Sequence, residues 1–271
     1  MIKKSDCVEC AESFYHIQVG IAIIICLVAC ENVARLVTGK MMNRADENLV
    51  ERFFEGQIWQ ISILAVLFFS FYFFYDLFAI SEGQWLGLKT RTWYLTAIIT
   101  PIIHQMYVWL CWRGELYFNA LSRIMGRAAY LIYSLVFFIL IFIRFFAIVA
   151  VCIADYKSFN ISAPLRYSFS FIIHLPALYA IYSVVRYFGF RRTPGEDHFK
   201  PEEYRQKPFV KEGMYKYSSN VMYVYVGLIF LALAVFCASK GGLILSLYMY
   251  ATVWTHYFCT EKPDIRSIYY G

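Results

Sequence analysis

Apolar residues in this chain arrive in blocks long enough to cross a bilayer, which needs about 20 residues of helix. Seven can be drawn, roughly Phe14–Val37, Ile58–Ile80, Trp93–Trp112, Ala128–Ala154, Tyr167–Phe190, Val221–Ala238 and Leu243–Thr260. The pattern predicts an all-α, multi-pass transmembrane bundle of about seven spans. The first block is the weakest, because its apolar core is short and Glu31 and Arg35 follow. The block around Arg144 is the longest and is expected to tilt or bend. Seven spans place the two ends of the chain on opposite faces of the membrane. The last two blocks read as a helical hairpin turning at Ser239-Lys240-Gly241-Gly242, which brings Asn220 level with Glu261 and Tyr223 level with Phe258.

One long polar connection interrupts the blocks, from Arg186 to Asn220. It exceeds a typical helix–helix connection, and such segments are usually functional or disordered. Pro194-Gly195 signals a turn, and Pro201-Glu202-Glu203-Tyr204-Arg205 can open a short helix with Pro at its start. Turn residues, aromatics and both signs of charge together predict an ordered cap over the mouth of the hairpin. Residues 1–190 are read as the N-terminal spans, about five of them. Residues 191–271 are read as cap and hairpin of the same membrane domain.

Composition agrees with the block pattern. Hydrophobic residues make up 60% and charged residues 16%, against about 25% charged in soluble domains. The net charge of +6 is spread through loops, with no run suited to a nucleic-acid partner. Lys and Arg set the orientation. The side holding the Arg186–Asn220 connection collects seventeen of the 25, the other side seven, and Arg144 lies inside a span. Cap and C-terminus are therefore expected in the cytosol, of an endoplasmic reticulum or a bacterial inner membrane.

The N-terminus and the cysteines carry little chemistry. Lys3 and Lys4 precede an apolar stretch, but Asp6, Glu9 and Glu12 follow them, favouring a retained helix over a cleaved signal. Leu27-Val28-Ala29-Cys30 lies too deep for a lipoprotein cleavage box. Cys7-Val8-Glu9-Cys10 is a lone pair without the second pair or histidine cluster of a zinc site. The other six cysteines sit in apolar spans and read as small hydrophobes. Asn160-Ile161-Ser162 is a glycosylation sequon on the non-cytosolic side, of a kind that recurs by chance.

The segment Val210-Lys211-Glu212-Gly213-Met214-Tyr215-Lys216-Tyr217-Ser218-Ser219-Asn220-Val221-Met222-Tyr223 leads into the hairpin, which exits at His256 and continues through Glu261-Lys262-Pro263-Asp264. This arrangement resembles the integral-membrane methyltransferases that include isoprenylcysteine carboxyl methyltransferases and phospholipid N-methyltransferases. Those proteins carry Gly-x-Tyr, then Arg-His-Pro-x-Tyr, and a Glu-Glu pair after the hairpin. Gly213-Met214-Tyr215, Tyr223 and Glu261 fall in register with that pattern. The chain departs from it at Ser219-Asn220-Val221 and at Lys262. The resemblance spans roughly Arg191 to Gly271.

The resemblance implies S-adenosylmethionine as cofactor and no metal. An adenine slot is expected from Phe199, Tyr215 and Tyr217, and a fixed acceptor from Glu261. Donors for the cofactor carboxylate are expected from the backbone after Asn220 or from His256. Val210, Gly213, Met214 and Tyr223 complete the candidate cofactor set. The methyl acceptor is read as a membrane lipid, foremost a phospholipid amine, with a prenylated cysteine or a small thiol as alternatives. An ammonium must lose a proton before it attacks, and His198, His256 and Tyr223 are candidates for taking it; with Glu261 they form the candidate catalytic set. Two rival functions stand beside this one: an NADPH-dependent membrane reductase of the steroid 5α-reductase type, and a non-catalytic seven-span receptor or transporter.

Several of these residues also have plainer readings. Tyr204 and Tyr217 suit an interfacial aromatic belt. His104 and His174 are expected to bond backbone groups freed by Pro101 and Pro176. Arg144 is a candidate for a lipid phosphate, for a pair with Asp76, or for snorkelling.

Overall fold

The computed structural model describes residues 47–270. The block Phe14–Val37, the Cys7/Cys10 pair and the Leu27–Cys30 segment lie outside them. The order is α1 (Glu47–Phe54), α2 (Gln57–Leu77), β1 (Gln84–Trp85), β2 (Leu88–Lys89), α3 (Thr90–Phe118), α4 (Ala120–Met125), α5 (Ala129–Ala154) and α6 (Ala163–Ser183). The cap adds α7 (Glu196–Phe199) and α8 (Pro201–Arg205), the latter with Pro201 in its first turn as expected. The hairpin is α9 (Leu228–Cys237) and α10 (Lys240–His256), and α11 (Lys262–Tyr270) closes the described chain.

Among the described residues, four helical stretches are long and apolar enough to cross a membrane: Asn48–Leu77, Thr90–Phe118, Ala120–Ala154 and Ala163–Gly189. Met222–Cys237 is a shorter apolar helix, and it packs antiparallel to α10. The described residues thus form an all-helical membrane bundle. Its one sheet among those residues is an antiparallel ribbon that pairs Gln84 with Lys89 and Trp85 with Leu88. These two-residue strands are too short for a sequence pattern to show.

Large side chains from α2, α3, α5 and α10 fill the centre. Leu64, Tyr94, Ile98, Ile148, Leu245 and Tyr248 are all buried there. Buried hydroxyls reach backbone carbonyls, Tyr94 that of Phe71 at 2.8 Å and Tyr248 that of Ile98 at 2.7 Å. In a bilayer no water is present to take these protons, so each needs an internal acceptor.

At the end opposite the cap, Asp155 ties three segments together. Its carboxylate accepts from Ser81 N–H at 2.9 Å, and from the Ser158 and Ser239 hydroxyls and Gly241 N–H at 2.8 Å each. The Ser81 hydroxyl also donates to it. The same carboxylate therefore fixes the α2–β1 connection, the end of α5 and the hairpin turn, where Ala238 adopts a left-handed φ of 51°. Replacing Asp155 by Ala strands several buried donors at about 1–3 kcal/mol each. Asp155→Ala should therefore lower the melting temperature in detergent markedly, and an unchanged melting curve would contradict this assignment.

Candidate functional site

Three π-helical segments lie around the mouth of the bundle under the cap: Val184–Gly189, Met222–Val226 and Tyr257–Glu261. A π turn loosens the regular i→i−4 ladder and is frequent at functional sites. Here the widened turns supply Phe188, Tyr223, Tyr257 and Glu261 to one cavity.

Beneath these segments lies a fully buried charge. Arg113 on α3 donates from Nε to Asp264 Oδ1 at 2.8 Å. Its Nη1 reaches the Phe53 and Glu55 carbonyls at 2.9 and 2.6 Å, and its Nη2 the Cys259 and Thr260 carbonyls at 3.3 Å each. Arg113 and Asp264 are both 0% exposed. The other oxygen of Asp264 faces His198 Nε2 at 3.3 Å, and His198 Nδ1 lies 3.0 Å from Asp197. Burial alone would lower the His198 pKa, but the two carboxylates overcome it and raise the ring to about 9. His198 thus holds its proton at neutral pH with both nitrogens engaged. Asp197 is buried too, yet the His198 hydrogen bond keeps its carboxyl below the usual range.

The cap is seated on this base. The Trp112 ring stacks on His198 at 4.0 Å, and its Nε1 donates to the Pro194 carbonyl at 2.9 Å. Gly195 has φ 87°, and a Cβ there would come within 2.4 Å of the Trp112 ring. Gly213 has φ 57°, and a Cβ would meet Ser183 and Tyr187 at 2.7 Å. Only glycine admits both the backbone turn and the close approach. Arg205 Nε donates to the Ile268 carbonyl at 3.0 Å and Tyr269 donates to Asp197 at 2.9 Å, so α11 is clasped to the cap.

Two cavities adjoin here. The first, about 350 Å³, lies under the cap among Phe188, Arg192, Asp197, Tyr215, Asn220 and Glu261, with Phe209, Tyr269 and Tyr270 beside them. The second, about 300 Å³, lies between the spans, lined mainly by apolar groups including Phe137, Ile141, Val185 and Val253, with His104, Gln105, Arg144 and His256 among them. Trp112, Thr193, Met222 and Tyr223 line both.

The first cavity has open bonding capacity. Glu261 Oε2, Tyr215 Oη and Arg192 Nε are out of reach of solvent and have no partner. Burial, and after it the charge of Asp197, lifts the Glu261 carboxyl to about 8.

Of the residues singled out from the sequence, the structure gathers His198, Tyr215, Asn220, Tyr223 and Glu261 around the first cavity. His256 lines the second, with Nδ1 unpartnered. The others face elsewhere. Phe199 packs against Tyr130 and Tyr133, and Val210 and Met214 belong to a hydrophobic cluster with Val184 and Val221. Gly213 shapes the backbone, and the Tyr217 side chain is 75% exposed. Trp112, Arg192, Asp197 and Tyr269 line the cavity without having been singled out for this site. His104 and His174 do not bond the groups freed by the prolines: His174 reaches the Ser170 carbonyl at 2.9 Å, and His104 Nε2 has no partner.

Comparison with known proteins adds one match: residues 165–270 fit the model of the phospholipid methyltransferase family. No curated protein and no solved structure matches the chain. The matched stretch begins within α6 and takes in the cap, the hairpin and α11, and so includes every side chain of the first cavity except Trp112. The C-terminal part of this chain is accordingly similar to the phospholipid methyltransferase family, which supports a membrane methyltransferase family of that type.

Proposed function

We propose that the protein transfers a methyl group from S-adenosylmethionine to the amine headgroup of a phospholipid. The observation that carries this reading is the pair of adjoining cavities. One is polar and aromatic under the cap, the other is largely apolar between the spans, and Tyr223 stands in the wall they share. By the distribution of Lys and Arg the cap faces the cytosol, so a water-soluble cofactor and a lipid can approach from different phases.

The first cavity fits the cofactor by its unpartnered groups. Glu261 Oε2 would accept from the cofactor ammonium or ribose hydroxyls, and Arg192 would donate to its carboxylate. The stacked rings of Phe188 and Tyr215, 5.7 Å apart, with Phe209 and Tyr270, offer apolar surface for adenine. When bound, S-adenosylmethionine supplies an electrophilic methyl on a sulfonium. The protein's part is alignment, exclusion of water and removal of the ammonium proton. His198 keeps its own proton, so it steadies the cap and Asp264. His256, with Nδ1 free on the lipid side, is the better acceptor, and Tyr223 borders both reactants.

The charge of the cavity favours this cofactor over NADPH. Arg192 is its one arginine or lysine, and the charge of His198 is already matched by Asp197 and Asp264. The three phosphates of NADPH would find a single uncommitted cation there. The neighbouring Arg191 is turned outward with a side chain 75% exposed and pairs with Glu196 at 3.2 Å.

Calorimetry with S-adenosylhomocysteine and NADPH, side by side on the detergent-purified protein, tests the cofactor. Saturable binding of the first alone is expected, and binding of NADPH alone would move the assignment to the reductase. Replacing Glu261 by Ala should weaken binding by about ten- to a hundredfold, the worth of a charge-assisted hydrogen bond.

Binding should also depend on pH. Glu261 is protonated below about 8, and a bound ammonium favours its carboxylate, so the proton leaves on binding. Affinity should rise with pH below that value, by up to about tenfold per unit, and level off above it. Titrations at pH 7 in two buffers of different ionisation enthalpy should read close to one proton released, and about none in Glu261→Gln. Equal proton release in both proteins would contradict the role given to Glu261.

Turnover provides a further check. Tyr223→Phe should cost about tenfold or more in kcat while the variant stays membrane-embedded and binds S-adenosylhomocysteine normally. Full activity would remove Tyr223 from the reacting site.

A further inference from the structure

The cavity between the spans contains a cation that proton removal does not call for. Arg144 lies in the run Phe142-Ile143-Arg144-Phe145-Phe146 and is 7% exposed. About 15 Å of helix separate it from the nearer end of α5, farther than an arginine side chain reaches, so it does not snorkel. Asp76 pairs instead with Arg91, at 3.3 Å. Among the described residues Arg144 has no carboxylate partner; its guanidinium touches only Met249 Sδ, at 2.7 Å, and Thr252 Oγ1, at 3.5 Å. Five N–H donors with two weak acceptors leave most of the bonding capacity of this group unused.

The neighbouring polar atoms are unused as well. Gln105 spends its amide N–H on the Thr252 carbonyl at 2.7 Å, which leaves Oε1 buried and without a partner. His104 Nε2 and His256 Nδ1 are in the same condition. All four side chains line the same cavity and are at least nine-tenths buried. Isolated polar groups at this depth are costly, and an intramembrane cation that faces a cavity marks a ligand position. The set is complementary to a zwitterion: a planar cation on one side, acceptors on the other.

We propose that Arg144 forms an intramembrane subsite for the phosphodiester of an ethanolamine phospholipid, while Gln105 Oε1 and His256 Nδ1 receive its ammonium. The guanidinium fork matches two non-bridging phosphate oxygens. His256 and Tyr223 line the same cavity, so the amine is turned toward the wall shared with the cofactor cavity. The assignment rests on reading this cavity as the acceptor site. The same fork would take a carboxylate of another amphiphile, and the binding arms below separate the two.

The experiment is lipid binding by native mass spectrometry to the delipidated, detergent-purified protein. Dioleoylphosphatidylethanolamine, oleate and dioleoylglycerol are the probes, with S-adenosylhomocysteine as a separate arm. The wild type should bind the phospholipid in preference to both others. Arg144→Met should lose about tenfold or more of that preference with S-adenosylhomocysteine binding unchanged, and Arg144→Lys should retain part of it. Without lipid, Arg144→Met should melt at or above the wild-type temperature, because the substitution removes an uncompensated buried charge; a merely structural arginine would give the opposite shift. Gln105→Leu, which leaves the cation in place and removes an acceptor for the ammonium, should weaken phospholipid binding and serves if the methionine variant does not fold. Equal phospholipid binding by wild type and the folded Arg144 variants, or a preference for oleate or dioleoylglycerol, would overturn the subsite. Loss of S-adenosylhomocysteine binding alone would instead strike the methyltransferase reading and leave the subsite standing.

Discussion

The arrangement under the cap depends on the burial of Arg113. A guanidinium fully out of solvent is tolerable only when its donors are satisfied and its charge is matched. Arg113 meets both conditions by drawing on four places in the chain: Phe53 and Glu55 before α2, its own position in α3, the Cys259 and Thr260 carbonyls, and Asp264 in α11. The Cys259 and Thr260 carbonyls lie in a π-helical segment, where regular helical bonding is loosened. The same arginine therefore stabilises the distorted turn that presents Glu261 and fixes the carboxylate that holds His198. Through His198 the constraint passes to Trp112, to the Gly195 turn and so to the cap.

Two chemistries are separated by this scaffold with little material. The cap and the exit of the hairpin enclose a polar cavity beside the membrane mouth, and the spans enclose an apolar one next to it. Trp112, Thr193, Met222 and Tyr223 are the partition. The buried groups divide by whether their bonds are complete. Arg113, Asp155 and Asp264 are saturated and hold structure. Glu261, His256, Gln105 and Arg144 have open valence and face cavities, as ligand-binding groups would.

Much of this was legible in the sequence because it depends on runs and local signals. Apolar length located the six blocks that fall within the described residues, and Pro201 located α8. The paired small residues and Ser239 located the hairpin turn, where the Ser239 hydroxyl accepts from Gly242 N–H at 2.9 Å. Tyr215, Asn220, Tyr223 and Glu261 meet at one cavity because the hairpin closes locally and brings its two mouths together. Partners distant in sequence were hidden, since no local pattern links Arg113 to Asp264 or Trp112 to His198. The direction a loop side chain takes was hidden too. Phe199 turns inward to Tyr130 and Tyr133, while Tyr217, just after a 3₁₀ turn, is exposed. Tyrosine content alone distinguishes neither case. The π-helical turns leave no periodic signature, although they set which faces of the helices reach the cavity.

The most direct test is label transfer in nanodiscs. Purified protein is placed in bilayers containing phosphatidylethanolamine and supplied with S-adenosylmethionine labelled on its methyl group, with bilayers lacking any primary-amine lipid as the control. The expected result is label in a lipid that chromatographs as the N-methylated phospholipid, dependent on phosphatidylethanolamine. Binding of S-adenosylhomocysteine with no label in any lipid amine would contradict the phospholipid assignment, and label in an added isoprenylcysteine would move the acceptor to a carboxylate.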